Sequence, residues 1–269
     1  MAKRPDRFGT HGGPVSTRLA FWRKQEEEAA GEEHARPGLL SDFILGSQDG
    51  LVNVLGVILG IAIAAHQQAL AQQLADPFRI VVAGALAATF AESISMGAVA
   101  YTTTLARRDH YLKEREREER EMRELPDLER QEVREVFEKW GFQGAKLEQV
   151  TDDIVSNPKA WLEFMMAHEL GLSPVEKRQA RNSAFLVGFA AIFGSVIPLL
   201  PFLVFPGDIL TGMLASVLVA AVALFLIGWY KATSTVGRPA RSGLEMLAIG
   251  IASAVAGFLI AYLVGAGPI

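Results

Sequence analysis

Residues 80–124 read IVVAGALAATFAESISMGAVAYTTTLARRDHYLKEREREEREMRE, an apolar run that passes into a charged one with neither Gly nor Pro at the junction. Up to Leu105 the only charged residue is Glu92. That length suffices to cross a bilayer, since a helix needs about 20 apolar residues to span roughly 30 Å of hydrocarbon. From Arg107 to Glu124 the chain is dominated by Arg, Lys and Glu and does not belong in lipid. One continuous helix, starting in the membrane and projecting well into water, accounts for both halves.

Four more apolar stretches flank it, at residues 43–65, 183–205, 209–230 and 244–264. A soluble helical core would show a charged face on every turn, and these stretches do not. The expected architecture is all-α: an integral membrane protein of five transmembrane helices per subunit, with a cytosolic helical metal-binding bundle inserted between spans two and three. Its segments are a polar arm at 1–38, spans one and two at 39–106, the module at 107–182 and spans three to five at 183–269. The arm is not a signal peptide and allows a short helix near residues 17–30.

Orientation follows from Lys and Arg in the flanks. Arg18, Arg23, Lys24 and Arg36 precede span one, and Lys231, Arg238 and Arg241 link spans four and five. Residues 206–208 and the tail after Val264 hold no cation. The N-terminus and module are therefore expected in the cytosol and the C-terminus outside, in a bacterial inner membrane or, alternatively, a vacuolar one.

A net charge of −4 over 269 residues creates no field suited to nucleic acid. With no Cys, disulfides, thiolate metal sites and Cys nucleophiles are excluded. Any transition-metal site must use carboxylate, imidazole, thioether or backbone oxygen. No phosphate-binding G-x-x-x-x-G-K-[ST] loop is present, so ATP is not expected to drive anything.

Within the module, Pro126 ends the long polar helix and a second runs to about Trp140. Gly141 and Gly144 mark a turn, and a third helix covers residues 145–155. Asn157 caps a fourth, with Pro158 at its first position and Gly171 just past its end. Glu118 and Glu121 share a helix face, with Glu114 on the same stripe, and Glu129 and Glu132 repeat the spacing. Met165, Met166 and Glu169 lie on the fourth helix. Carboxylates and thioethers from three helices could thus converge on one cation, which would relieve repulsion of a few tenths of a kcal/mol per exposed pair. A plainer reading stands beside it. Lys113, Arg115, Arg117, Arg120 and Arg123 interleave with these Glu residues, a pattern usual for a solvated helix laced with ion pairs. Likewise, Met165 and Met166 beside Phe164 could be core.

Polar groups inside the spans are functional candidates because lipid makes them expensive. Span one holds Gln48, Asp49 and Asn53; span two holds Glu92 and, one turn on, Met96, with Ser93 and Ser95 nearby. Oxygen ligands with one soft sulfur suit Fe²⁺ or Mn²⁺. The alternative for Asp49 is an interfacial residue, and Glu245 at the mouth of span five reads as interfacial. Gly46, Gly50, Gly56 and Gly60 in span one permit close helix packing, within a subunit or across a dimer; Ala248, Ala252 and Ala256 give span five a similar face. Pro198, Pro201 and Pro206 are expected to bend or finish span three.

Taken together, SDFILGSQDGLVN (41–53), ESISMGAVAY (92–101), RDHYLKEREREEREM (108–122), LPDLERQEV (125–133), WLEFMMAHELGL (161–172) and IPLLPF (197–202) resemble the vacuolar iron transporter family from about Leu40 onward. The resemblance implies a homodimer, joined through span one, that moves Fe²⁺ out of the cytosol in exchange for protons. Mn²⁺, Co²⁺ and Zn²⁺ are further candidate substrates, and no covalent cofactor is implied. By motif position the transport path would include Asp49 and Met96, with Asn53 and Glu92 beside them. Cytosolic metal would be collected by Glu118, Glu121, Glu129, Glu132, Met165, Met166 and Glu169. Many members carry a Glu where this chain has Ala88, and Glu92, one turn closer to Met96, could substitute.

Two competing functions make different demands. A di-iron oxidase or ferritin-like enzyme would use Glu-x-x-His pairs. The residues three before the five His are Phe8, Gly31, Ile63, Arg107 and Met165, so the motif is missing and no enzyme is expected. A non-transporting metal-binding protein would have no use for Asp49 and Glu92 inside its spans.

Overall fold

Each apolar run lies in a long helix. The computed structural model describes residues 37–71 and 76–266, so the arm's expected helix near residues 17–30 and the cations Arg18, Arg23, Lys24 and Arg36 lie outside the described residues. Every candidate site residue lies in one compact unit, Ser41–Ile269.

In chain order the helices are α1 (Pro37–Leu70), α2 (Pro77–Glu124), α3 (Pro126–Lys139), α4 (Ala145–Val155), α5 (Pro158–Phe164), which runs into a π-helical turn at Met165–Glu169, α6 (Lys177–Val204), α7 (Ile209–Thr233) and α8 (Pro239–Ala266). Among the described residues there is no strand. Helices α1, α2, α6, α7 and α8 are long and apolar enough to cross a membrane. Their outer faces carry bare apolar rows: Phe185, Phe189 and Phe193 on α6, and Leu214 and Leu218 on α7, are each more than 60 % exposed. Rows of that kind are untenable in water and natural in lipid.

The single helix expected through residues 80–124 is there. At 48 residues, α2 extends about 72 Å, more than twice the hydrocarbon thickness. Asp76 caps its start, its carboxylate accepting the Arg79 N–H at 3.1 Å. Glu118 lies about 20 Å along the axis beyond Leu105, where the apolar run ends.

Glycine fixes the packing of α1. A Cβ at Gly50 would strike the Ala191 carbonyl and lie 2.8 Å from Ser195 Oγ on α6, while one at Gly60 would stand 3.2 Å from the Gly257 carbonyl on α8. The Ser195 hydroxyl donates to the Gly50 carbonyl at 3.1 Å, and that of Ser253 to the Val52 carbonyl, also at 3.1 Å. These small-residue rows therefore serve contacts within the chain. On α8 the packed face carries Met246, Ala254 and Gly257, and Ala248, Ala252 and Ala256 are exposed, so the alanine row is not used for packing within the chain. Glycine lets backbones approach closer than alanine does, and that selects the face. Pro198 and Pro201 sit inside α6 and Pro206 beyond it; the Ser216 hydroxyl of α7 donates to the Pro198 carbonyl at 2.7 Å.

The module's punctuation is as expected. Pro126 opens α3, Asn157 accepts the N–H groups of Lys159 and Ala160, and Gly141, Gly144 and Gly171 adopt φ of 94°, 59° and 62°. Positive φ is strained for a residue with a Cβ, and glycine adopts it freely. Val133, Phe137, Leu147, Trp161, Phe164 and Met165 form a buried core joining α3, α4, α5 and the π-turn, with Met122 of α2 packed on it.

Candidate metal path

Two polar clusters stand out, one within the spans and one on the projecting part of α2. In the spans, Asn53 on α1 donates through Nδ2 to Glu92 Oε1 on α2 at 2.9 Å. Thirty-nine positions separate them in sequence. Asp49, one turn before Asn53, stands near the same Glu92 carboxyl. Met96, one turn after Glu92, is half-buried, as are Asp49 and Glu92. Asn53 and Ser95 are exposed. Ser93 takes another role: its hydroxyl donates to the Gly188 carbonyl at 2.9 Å and fastens α2 to α6. Glu245 is exposed and paired with Arg241 at 2.9 Å.

The module separates the two readings of its Glu residues. Glu114 and Glu121, both half-buried, pair with Arg117 at 3.7 and 3.1 Å, and Glu119 with Arg115 at 3.3 Å. Those belong to the solvated, ion-paired face, and Glu121 is therefore committed to Arg117 here. Glu118 and Glu129 differ. They are 4 % and 3 % exposed, and each keeps one buried carboxyl oxygen with no hydrogen-bond partner. Among the described residues no cation pairs with either one. Burial above all, then hydrogen-bonding contact with the Glu129 carboxyl and the charges of Glu129, Glu169 and Glu121, push Glu118 up to about 8. Glu132 is pushed up to about 7 by desolvation and then by its like-charged neighbours, Glu129 first. Glu169 is exposed as a residue, yet desolvation still raises it, followed by the charges of Glu129 and Glu121.

Met165 and Met166 are 0 % and 3 % exposed. They open a π-helical turn, Met165–Glu169, in place of the α-helix expected there. The Leu170 N–H reaches back to the Met165 carbonyl at 3.1 Å. One residue per turn is thereby inserted, which re-aims Met165, Met166 and Glu169 relative to α5; π-turns concentrate at functional sites. Among the described residues no three His, Asp or Glu side chains are gathered closely enough to hold a metal ion. What the fold brings together is a carboxylate pair, Glu118 with Glu129, with Glu132 and Glu169 near enough to raise or be raised by it.

A family model described as the VIT family matches residues 40–262. The chain belongs to the VIT family. Similar relatives include "Vacuolar iron transporter 1" of Arabidopsis thaliana, 33 % identical with 87 % of this chain and 89 % of that protein covered. "Vacuolar iron transporter 2" of Oryza sativa subsp. japonica is 34 % identical over 84 % of this chain and 88 % of its own. "Protein CCC1" of Saccharomyces cerevisiae is 25 % identical over 85 % of this chain and 70 % of its own. The plant relatives are named as transporters, which are not enzymes, in keeping with the absent Glu-x-x-His pairs. As a VIT-family chain with five membrane-length helices, this is an integral membrane protein.

One residue of this VIT-family chain escaped the reading of the sequence. Met122, four positions after Glu118, packs on the core that includes Met165 and brings a third thioether to the module. Its i, i+4 relation to Glu118 was the available signal. The Arg residues on either side masked it.

Proposed function

We propose that the protein is a secondary transporter that moves Fe²⁺, with Mn²⁺ and other divalent transition metals as further substrates, out of the cytosol in exchange for protons. The observation that carries the reading is the Glu118–Glu129 pair. A buried acceptor without a partner costs about 1–3 kcal/mol, and two facing carboxylates repel besides. A divalent cation removes both penalties. Protons remove them too, which is the chemical root of exchange: a ligand oxygen cannot hold a proton and a metal at once.

On this reading the module, residues 107–182, lies in the cytosol and collects metal through Glu118, Glu129, Glu132, Glu169, Met165 and Met166, with Glu121 released from Arg117 to join them. Ions then pass to Asp49, Glu92 and Met96, with Asn53 orienting Glu92 through its amide. The relatives named as vacuolar iron transporters support iron as substrate. Ser95 and Asn53 are exposed on single-chain spans, and although the Asn53 amide meets Glu92, lipid offers their remaining polar atoms no partner. A second copy across span one, enclosing a polar path, supplies one; the chain is read as a homodimer. Glu92, the one charged residue of span two up to Leu105, is the span-two carboxylate of the path.

The test is Fe²⁺ flux into proteoliposomes with and without an imposed pH gradient. Uptake that accelerates when the far side is acidic, and stops in Asp49→Ala and Met96→Ala proteins, is the expected result. Wild-type flux in both variants, or flux indifferent to the gradient, would overturn the path or the coupling respectively.

A further inference from the structure

A third polar feature lies away from both clusters. The last turn of α7, the loop TSTVGR (233–238) and the first turn of α8 form an open pocket of about 200 Å³ lined by Lys231, Thr235, Arg238, Arg241, Ser242 and Glu245. That is several times the ~30 Å³ occupied by a water molecule in the liquid. Three cations face one carboxylate, and that carboxylate, Glu245, is engaged by Arg241 at 2.9 Å. Among the described residues Lys231 and Arg238 have no carboxylate partner. The walls are fixed. The Thr235 hydroxyl donates to the Lys231 carbonyl at 2.8 Å, the Ser234 N–H to the Tyr230 carbonyl at 3.0 Å, and the Ser242 N–H to the Arg238 carbonyl at 3.0 Å. Beneath it α7 and α8 meet at Gly228 and Gly243, too closely for a Cβ at Gly228. The start of the 28-residue α8 adds N–H groups without intrahelical partners and the positive end of a helix dipole.

We propose that this pocket binds the phosphate of an anionic phospholipid headgroup through Lys231, Arg238 and Arg241. Its place decides between lipid and free phosphate. Trp229 and Tyr230, both exposed at the end of α7, are the aromatic residues that mark the headgroup level. Just inside that level, Leu226 on α7 and Leu244 on α8 are each 58 % exposed, a bare apolar track for acyl chains. Basic pockets between spanning helices recognise lipid headgroups in this way.

Full-length protein in neutral detergent is titrated with short-chain phosphatidylglycerol, short-chain phosphatidylcholine or inorganic phosphate, and bound ligand is counted by native mass spectrometry. Phosphatidylglycerol should be retained in preference to phosphatidylcholine. Each charge removed should weaken it about fivefold, so Lys231→Gln with Arg238→Gln costs about 25-fold. Lys159→Gln, an exposed cation of the module, should change nothing, and Arg238→Lys should keep most of the binding. If the double variant does not fold, Arg238→Gln against Arg238→Lys carries the same test. Equal retention of both lipids, unchanged binding in the Gln variants, or occupancy by inorganic phosphate as tight as by the lipid would each overturn the assignment. None of these readouts depends on transport.

Discussion

The two carboxylate clusters solve the same problem in opposite ways. Within the spans Glu92 has a donor, the Asn53 amide at 2.9 Å, and that neutral bond holds its carboxyl in place without cancelling its charge. On the projecting part of α2, Glu118 meets Glu129 with no cation and with no donor beyond a proton the pair itself holds, and each is left with a bare oxygen. The first arrangement is organised before a ligand arrives. The second is destabilised until one does. A group that is to pass an ion onward needs fixed geometry and modest affinity, whereas one that is to capture it gains affinity from relieved repulsion. Lipid enforces the difference: an unpartnered carboxylate is far costlier there than on a water-facing helix.

The largest way to break that contrast is Glu92→Ala. If Glu92 is the path ligand, metal flux should fall by at least about 100-fold, the upper end of what an outer-shell partner costs, while folded protein is still recovered. Next is Asn53→Ala, which removes only the orienting donor. Flux in proteoliposomes should drop about tenfold, with the amount of folded protein unchanged. A loss as severe as that of Glu92→Ala would mean the two residues are one unit.

Glu118→Gln sharpens the other side. It removes the repulsion and the ligand charge together, so metal-free protein should become more heat-stable while the half-saturating metal concentration for flux rises about tenfold. Thermal scans and flux measured over a range of Fe²⁺ decide it, and a less stable metal-free variant would sink the idea of a strained pair.

The smallest effect is with pH. Glu118 and Glu132 keep their protons in the folded state up to about 8 and about 7, whereas the ordinary value is 4.5. The native state binds more protons, so stability falls as pH rises across that window and is fully present below it. Without metal, the melting temperature should drop by a few degrees between about pH 5 and about pH 8. Saturating Mn²⁺ should flatten or reverse the trend, since its affinity grows as the carboxyls lose protons. A metal-free melting temperature that rises with pH would contradict the buried pair.

Much of the fold was legible because lipid is an exacting solvent. Runs of about 20 apolar residues, and Pro and Gly at Pro126, Asn157-Pro158 and Gly171, placed the helices of the spans and module to within a few residues. The missed features are matters of partner and register. Glycine rows announced close packing but could not say that α6 and α8 of the same chain fill them. Spacing could not show that Glu118 faces inward while Glu121 turns out to Arg117, since three positions along a helix leave both on one broad face. Nor could it show the π-turn, because hydrogen-bond register depends on how α5 packs on Phe137 and Trp140, not on its composition.

By itself, then, the sequence determined five long apolar helices, a charged segment between the second and third, and a stock of carboxylates and thioethers in both places. Hydrophobicity and chain stiffness are local properties, and local properties can be read in order. Only the tertiary structure decided which carboxylates are buried together, that Asn53 meets Glu92 across thirty-nine positions, and that Lys231 and Arg238 share a pocket. Those encounters, even between residues as near in sequence as Lys231 and Arg238, are set by how whole helices pack and not by local composition.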